Sequence, residues 1–426
     1  FLSEILINNP GMIDDLVDSL VVDRPLPGAA IKAELAELCK GAKDLAPILW
    51  SFRNKEWIRI GTRDILGREP IREVTRELAD VAEAIVTQVA RDQWQRRVAR
   101  FGTPRCPRSG RRDRWAILAL GKFGGRELNY HSDLDLVFLH EGEGITTGGP
   151  VSISNEQFVT EVVQRVLKAL ESRSTTGPLY TVDARLRPHG ASGPLVMTLD
   201  AFRAYLNRST QIWERLAFTR ARVIFATGGF GQDVTEAVRS ALAQPLDPSQ
   251  LAAEVRSMRR KLEASRGRHD LKRGFGGLAD LEFIVQFLEL VLAARPDRPL
   301  SRPFDDPYGT LPFGGCPAPG GDLPRSNYWD ALAALRRHGS ITAEIHTDLR
   351  DAYDFLRTVE GRLRLIHNRG VAELPESSAE LERLARRLNY DSTEPTRAVE
   401  AFLADAARIT HRTRELFDQL VVAEPL

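Results

Sequence analysis

The sequence predicts an α+β protein in which a mixed helix–strand segment, residues 101–235, lies between a helical N-terminal region, residues 1–100, and a C-terminal helical bundle, residues 236–426. Helices are indicated where apolar residues recur every three or four positions. The middle segment differs because it contains short apolar runs that are bounded by glycine or proline, a pattern typical of strands. Three runs have this pattern: 115–120, 133–139 and 178–186.

Four apolar repeats predict the main helices in chain order. The first runs from Val74 to Val98, and a basic stretch rich in proline and glycine follows it. The second lies between the last two predicted strands and carries its apolar face on Phe158, Val162, Val166 and Leu170. The third and fourth, at 345–366 and 399–416, keep alternating spacings of four and three residues, which is typical of long bundle helices.

The segment 296–325 interrupts the helical pattern of the C-terminal region. It contains eight of the 24 prolines and five glycines. We expect a loop or lid without regular structure here, because proline and glycine break both helices and strands.

Composition and charge exclude several classes of protein. Lys and Arg number 59 and Asp and Glu number 58, so the net charge is +1, which argues against a dedicated nucleic-acid-binding protein with its usual basic surplus. Apolar residues make up 42% and charged residues 27%, as in ordinary globular proteins. The three dispersed cysteines indicate neither a disulfide framework nor a zinc site, so a cytoplasmic protein is expected.

Targeting signals are not expected either. The most apolar run, 281–294, is interrupted by Gln286 and Glu289, so we expect no membrane span. The first residues lack a basic leader before an apolar stretch, which argues against a secretory signal. The chain opens on Phe1 rather than Met, which indicates a piece of something longer.

The stretch 118–140 carries the strongest chemical signal. An apolar strand runs into GKFGG, where Gly124 and Gly125 would let the backbone approach a phosphate closely and present its N–H groups. Asp133 and Asp135 follow, two positions apart on a predicted strand, so their carboxylates point to the same face. Two adjacent carboxylates repel unless a cation lies between them, and hard oxygen ligands suit Mg²⁺. A solvated turn with incidental aspartates would show the same residues.

A second predicted strand, LYTVDARLRP, supports a site at this place. Strand alternation puts Thr181, Asp183, Arg185 and Arg187 on one face. One carboxylate and two guanidinium groups there could hold a metal and a polyphosphate together, although an edge strand with a surface ion pair has the same pattern. Three carboxylates from two strands beside a glycine turn describe a two-metal centre for nucleotidyl transfer.

Four motifs in this order resemble the glutamine synthetase adenylyltransferase family: GKFGGRELNYHSDLDLVFLH, VDARLRPHGASGPLV, WERLAFTRARV and GGLADLEFIVQ. The resemblance runs from the opening segment to about residue 295 and more loosely to the end. Because that family belongs to the DNA polymerase β-like nucleotidyltransferases, it implies a polymerase β-like nucleotidyltransferase palm between the two helical regions.

The resemblance also implies roles for single residues. Asp133, Asp135 and Asp183 match the catalytic carboxylates that hold metal, and two Mg²⁺ ions are expected. The residues expected at the nucleotide phosphates are Gly124, Gly125, Ser132, Arg185 and Arg187. ATP is implied as the AMP donor, pyrophosphate as the leaving group and a tyrosine hydroxyl of glutamine synthetase as the nucleophile, in regulation of nitrogen assimilation.

The resemblance does not fix the direction of the reaction. Bifunctional members of the family carry two related halves, one that attaches AMP and one that removes it by phosphorolysis, and this chain contains one half. YHSDLDLVFLH and VDARLRP resemble the attaching half more closely, whereas GASGPLV fits either. A polymerase β-like enzyme acting on nucleic acid and a silent regulatory module that binds nucleotide are two further hypotheses. A PII-type signal protein is a candidate partner, which such a silent module would bind in place of nucleotide.

A few polar residues outside the main motifs keep two interpretations. The segment 213–223 predicts a helix that either only packs or also backs the site. Glu282, near a predicted helix start, either complements the helix dipole or lines the cleft. Lys272 and Arg273 could reach phosphate, although a solvated turn is favoured, and His131 fits a nucleotide contact and a surface turn equally.

Overall fold

The computed structural model describes residues 2–12, 25–106, 110–174, 177–208, 210–265, 270–294, 325–390 and 394–423. These residues form many helices and a mixed sheet, so the predicted α+β class is confirmed. The polymerase β-like palm, and the domain limits at residues 100 and 235, stay predictions.

The N-terminal region is helical, as predicted. Its described helices are α1 (Leu2–Asn8), α2 (Gly28–Leu38), α3 (Ala46–Ile65) and α4 (Ile71–Phe101). Helix α4 contains the predicted helix 74–98 and begins directly after Pro70. The helix does not extend further toward the N-terminus, because proline lacks the N–H group that a residue inside a helix donates and disfavours helical backbone in the residue before it. It ends at Gly102, where φ is 81° and a side chain would collide with the carbonyl oxygen of Thr147.

The strands of the described residues are, in chain order, β1 (Gly102–Arg105), β2 (Trp115–Ala119), β3 (Leu134–His140), β4 (Ile145–Gly148), β5 (Arg173–Ser174), β6 (Gly177–Pro178), β7 (Val182–Asp183), β8 (Val196–Thr198) and β9 (Arg222–Ala226). Strand β2 lies at the centre of the main sheet, antiparallel to both β3 and β9. Strands β7 and β8 pair in parallel with the beginning and the end of β3. Strand β1 pairs with β4 and β5 with β6, outside the main sheet.

Helices of the middle segment cover this sheet. They are α5 (Gly121–Gly124), α6 (Asn155–Leu170), α7 (Leu199–Arg208), α8 (Ile212–Phe218) and α9 (Phe230–Leu242). The predicted apolar face of α6 is fully buried, which confirms that helix. Trp94 of α4 stacks on Trp115 of β2, with ring centroids 5.4 Å apart, and meets Phe158 of α6 edge-on. Aromatic packing thus fixes the N-terminal region to the sheet.

The C-terminal region consists of helices in its described part: α10 (Pro248–Ala264), α11 (Leu278–Ala293), α12 (Tyr328–Arg337), α13 (Ala343–His367), α14 (Ser378–Arg387) and α15 (Pro395–Leu420). Helices α13 and α15 confirm the two long predicted helices. The predicted loop lies outside the described residues except for Arg325. None of the described helices combines the length and the apolar character that crossing a lipid bilayer requires.

Two predicted elements are wrong in extent. The strand predicted over 178–186 is reduced to Val182–Asp183 in the main sheet, because the Asp183 carboxylate accepts a hydrogen bond from the backbone N–H of Arg185 at 2.8 Å and the chain turns there. The helix predicted over 213–223 ends at Phe218, because Arg222 pairs with Ala119 and begins strand β9.

Candidate functional site

The glycine turn closes tightly between β2 and β3. Gly121 has a φ of 54°, and a side chain there would collide with the carboxylate of Asp135. A side chain at Gly124 would collide with the carbonyl oxygen of Arg220, and the Gly124 N–H donates to Leu120 at 2.8 Å. The Gly125 N–H donates to Gly121 at 3.2 Å. Both N–H groups are therefore used inside the turn.

The structure places Gly124 and Gly125 outside the lining of the cleft, and their role at the nucleotide phosphates stays a prediction. Both residues are buried, and the cleft described below is lined by Lys122 instead. Glycine is required at position 124 because the backbone of the turn packs directly against the backbone that leads into β9, not because its N–H group points into the cleft.

We expect the Gly124→Ala variant to lose at least about 2 kcal/mol of unfolding free energy, because the atoms that its Cβ would meet belong to backbone and cannot move aside. Urea unfolding without nucleotide measures this. Gly142→Ala is the matched control, since no atom lies within 4 Å of its Cβ position and its effect should stay within about 0.5 kcal/mol. A Gly124→Ala variant of unchanged stability that bound nucleotide more weakly would restore the phosphate-cradle interpretation.

The three predicted carboxylates come together at one edge of the sheet. Asp135 of β3 and Asp183 of β7 are register partners in a parallel pair, and such neighbouring strands lie about 4.8 Å apart. Asp133 immediately precedes β3 and is exposed, while Asp135 and Asp183 are half-buried. Strand alternation on β3 and the short pairing with β7 therefore place all three carboxylates on one wall.

Burial and the repulsion between neighbouring carboxylates raise the pKa values of Asp133 and Asp135. Burial, followed by the charges of Asp183 and Asp133, raises the pKa of Asp135 to about 6. Burial and the Asp183 charge also raise the pKa of Asp133. Hydrogen bonds from Arg185 lower the pKa of Asp183. Two carboxylates of the group therefore carry negative charge that their surroundings compensate poorly.

The two predicted arginines differ in position. The Arg185 guanidinium reaches both Asp183 oxygens, at 3.0 Å from Nε and 2.6 Å from Nη2, and its side chain is largely exposed at the cleft. Arg187 donates instead to the carbonyl oxygens of Ala184, Ala191 and Gly193. Arg187 therefore holds its own loop together and does not point along the strand face, because β7 ends at Asp183.

A metal ion fits the chemistry of this donor set. Three carboxylates supply hard oxygen ligands, and the raised pKa values of Asp133 and Asp135 indicate the charge that a divalent cation would neutralise. The carboxylate oxygens of Asp133, Asp135 and Asp183 do not all lie within 4.8 Å of one another. In the described part of the chain, three potential ligand atoms lie within that distance of one another only in the group Cys106, Asp113 and Glu141. That other group is hydrogen-bonded internally, and burial raises the pKa of the Cys106 thiol to about 12, which disfavours a metal-binding thiolate.

Ser132 is held by the C-terminal region. Its hydroxyl accepts from Nη1 of Arg364 on α13 at 2.9 Å and from the backbone N–H of Asn129 at 3.1 Å. The neighbouring His131 has a φ of 54° and packs edge-on against Trp57, with ring centroids 5.5 Å apart. Burial lowers the pKa of His131 to about 4, so its imidazole is neutral at pH 7.

A cleft of about 1020 Å³ opens over the carboxylates. Its walls carry cationic side chains from all three regions of the chain: Arg53, Lys122, Lys272, Arg273, Arg364 and Arg369. Carboxylates and cations in one cleft form an arrangement that suits a metal-bound polyphosphate. Of these cations, the sequence indicates only Lys272 and Arg273 as candidates for phosphate binding, with a solvated turn as the favoured interpretation. Both line the cleft.

A buried network of charges ties the glycine turn to the C-terminal helices. The Lys122 ammonium pairs with Glu282 of α11 and lies 2.6 Å from the Tyr353 hydroxyl of α13. Burial, with nearby Arg357 and Arg220, lowers the pKa of Lys122 to about 8. Burial of Glu282 tends to raise its pKa, but the positive charge of Lys122 helps to lower this pKa to about 2. Glu282 thus binds the glycine turn.

Comparison with known families places the chain. Residues 1–237 match the family described as glutamate-ammonia ligase adenylyltransferase, and residues 250–421 match the family described as GlnD PII-uridylyltransferase. The first match covers more than half of the 426 residues.

Two curated relatives carry the same name, bifunctional glutamine synthetase adenylyltransferase/adenylyl-removing enzyme. The protein of Thioalkalivibrio sulfidiphilus (strain HL-EbGR7) is 31% identical over 430 residues, which cover 99% of this chain and 41% of the relative. That of Hahella chejuensis (strain KCTC 2396) is 33% identical over 302 residues, which cover 67% of this chain and 31% of the relative. The chain thus spans less than half the length of these relatives. The predicted resemblance is confirmed: the chain belongs to the glutamate-ammonia ligase adenylyltransferase family.

Proposed function

We propose that this chain transfers AMP from ATP to a tyrosine hydroxyl of glutamine synthetase, in a reaction that requires Mg²⁺. The observation that carries the proposal is the parallel register of Asp135 with Asp183, which places two carboxylates side by side next to the glycine turn. The names of the two relatives support glutamine synthetase as the protein substrate.

Each cluster of residues has a part in this proposal. Asp133, Asp135 and Asp183 would hold the two expected Mg²⁺ ions, one of which would neutralise charge on the leaving pyrophosphate while the other would acidify the attacking hydroxyl. Lys272 and Arg364, which line the same cleft, would attract and orient the phosphates. The neutral state of His131 keeps an additional charge out of the same cleft.

A PII-type signal protein is proposed as a further partner, at the C-terminal helices. The support is the description of the family that matches residues 250–421. Removal of AMP by phosphorolysis is the second candidate function, because the names of both relatives include the adenylyl-removing activity. The same carboxylates would serve either direction, since both reactions break or form a bond to the phosphorus of AMP.

An AMP-transfer assay tests the proposal. The purified chain is mixed with labelled ATP, Mg²⁺ and unmodified glutamine synthetase, and we expect label to move onto the synthetase. In a parallel reaction, premodified synthetase is given phosphate, and release of AMP as ADP is measured. Release without transfer would reassign the chain to the removing activity. A chain inactive in both assays would contradict both candidate functions for this half alone.

A further inference from the structure

A second pocket, of about 430 Å³, is lined in part by Gly121 of the glycine turn. Its walls are mostly apolar and come from α8, α10, α11 and the loop after β7: Leu186, Trp213, Leu216, Met258, Leu262 and Phe283. The indole of Trp213 is 47% exposed, which is unusual for so large an apolar side chain. The pocket thus offers an open aromatic surface over an apolar floor.

The pocket and the cleft share a thin wall. Gly121 lines the pocket, and the place where its side chain would be is filled by the Asp135 carboxylate. The next residue, Lys122, lines the cleft, and Leu186 of the pocket directly follows Arg185 of the cleft. Consecutive Cα atoms are about 3.8 Å apart, so the two cavities adjoin at both of these positions.

One polar side chain of the pocket can form hydrogen bonds in both directions. Gln286 of α11 is 7% exposed and lines the pocket. A carboxamide offers a ligand both an N–H donor and a carbonyl acceptor. Glutamine pairs in this way with the N6 donor and N7 acceptor of adenine.

The two cavities therefore divide the chemistry of a nucleotide between them. The cleft carries carboxylates and cations, which suit a metal and phosphates, whereas the pocket carries an aromatic face, mostly apolar walls and the amide of Gln286. Three charged residues also line the pocket, and two of them are paired with residues of the glycine turn: Arg220, Glu282 and Lys261. A purine ring needs a stacking surface and a few hydrogen bonds to its edge. Phosphate groups would gain nothing from the apolar walls.

We propose that this pocket binds the adenine ring of the nucleotide, with Trp213 as the stacking surface and Gln286 as the group that reads the adenine edge. The inference rests on the proposed function, because it takes the cleft as the phosphate site. It holds for attachment and for removal of AMP alike, since the adenosine moiety is common to both.

Titration calorimetry with two probes, each with Mg²⁺, tests the inference on the full chain. One probe is ATP and the other is inorganic tripolyphosphate, which has no base. We expect Trp213→Ala to weaken ATP binding about 5- to 150-fold, the range found for losing one base–aromatic stack, and to leave tripolyphosphate binding unchanged. Trp213→Phe should restore most of the ATP affinity, and Leu403→Ala, an exposed apolar residue of α15, should change neither probe.

A second variant keeps the test independent of stacking. Gln286→Leu preserves the volume of the side chain, and we expect it to weaken ATP binding about tenfold and to abolish any preference for ATP over GTP. Equal weakening of ATP and tripolyphosphate, or unchanged ATP binding in both variants, would overturn the adenine assignment. Wild-type protein that binds tripolyphosphate as tightly as ATP would also overturn it while the phosphate site stands. Wild-type protein that binds neither probe would contradict the proposed function itself.

Discussion

Replacing Asp135 with asparagine should lower the rate of AMP transfer at least about a thousandfold while leaving the fold intact. The amide keeps the shape of the side chain but removes the negative charge that would hold the metal beside Asp183. Metal stabilisation of charge is worth several kcal/mol in such reactions, and about 4 kcal/mol corresponds to a thousandfold change in rate. The measurement is the turnover number for labelled AMP transfer at saturating ATP and Mg²⁺.

Although Asp135→Asn should lower activity, it should not lower the free energy of unfolding in the absence of metal. The folded-state pKa of Asp135 is raised from 3.8 to about 6, so the folded protein holds this proton more tightly than the unfolded chain does. The carboxylate therefore costs stability as pH rises from about 4 to 6, and above pH 6 the cost reaches at most about 3 kcal/mol. Asp135→Asn removes this cost, so in metal-free buffer at pH 8 the variant should be at least as stable as the wild type.

The comparison with a surface aspartate separates the two effects. Asp200→Asn changes an exposed carboxylate and should alter neither the transfer rate nor the unfolding free energy beyond about 0.5 kcal/mol. Added Mg²⁺ should stabilise the wild type and the Asp200 variant but not the Asp135 variant, and this stabilisation should weaken as pH falls through 6 because protons compete for the carboxylate. An Asp135→Asn variant that keeps full activity, or unfolds more easily without metal, would contradict this mechanism.

Periodicity in the sequence was sufficient to predict the elements that carry the site. The apolar repeat of three and four residues located α4, α6, α13 and α15. Helices α6 and α15 bury one face, whereas α4 is buried on all sides over 77–87 and α13 over 359–363. Alternation on β3 placed Asp133 and Asp135 on one face, and the structure brings Asp183 beside them. Local patterns were informative wherever a residue's environment is decided by its own strand or helix.

The placements that the sequence does not predict have a common physical reason. Strand alternation puts Arg187 on the cleft face only if β7 continues past Asp183, where a side-chain hydrogen bond to the backbone ends the strand. The contact that requires glycine at position 124 is with Arg220, nearly a hundred residues later in the chain. Contacts between distant segments leave no periodic signal in the sequence.

The cations of the cleft show the same limit. Arg364 reaches Ser132 across 232 positions of sequence and Lys122 reaches Tyr353 across 231. The chain has 59 lysines and arginines, and nothing in the pattern around Arg364 separates it from the other basic positions of a bundle helix. Only the packing of α13 against the turn identifies it.

Glu127 provides the largest expected effect on stability, since it joins the turn to the C-terminal helices from a fully buried position. Its carboxylate accepts from Nη1 of Arg220 at 2.8 Å, from the backbone N–H of Tyr328 at 2.6 Å and from the Tyr353 hydroxyl. Glu127→Ala leaves the buried Arg220 guanidinium without this carboxylate. Breaking a buried pair in this way costs about 3–5 kcal/mol, a large share of the total stability of a folded protein.

Urea unfolding measures this loss, with Glu376→Ala, an exposed glutamate before α14, as the matched control that should change stability by less than about 0.5 kcal/mol. Glu127→Ala/Arg220→Ala should be more stable than the sum of the two single variants predicts, because the second change removes the charge that the first leaves uncompensated. A loss below about 1 kcal/mol for Glu127→Ala, or strictly additive effects, would mean that water reaches Arg220. A large loss with non-additive effects would mean that the turn beside Asp135 is held in place by helices more than 200 residues later in the chain. The C-terminal region would then be a structural part of the candidate site.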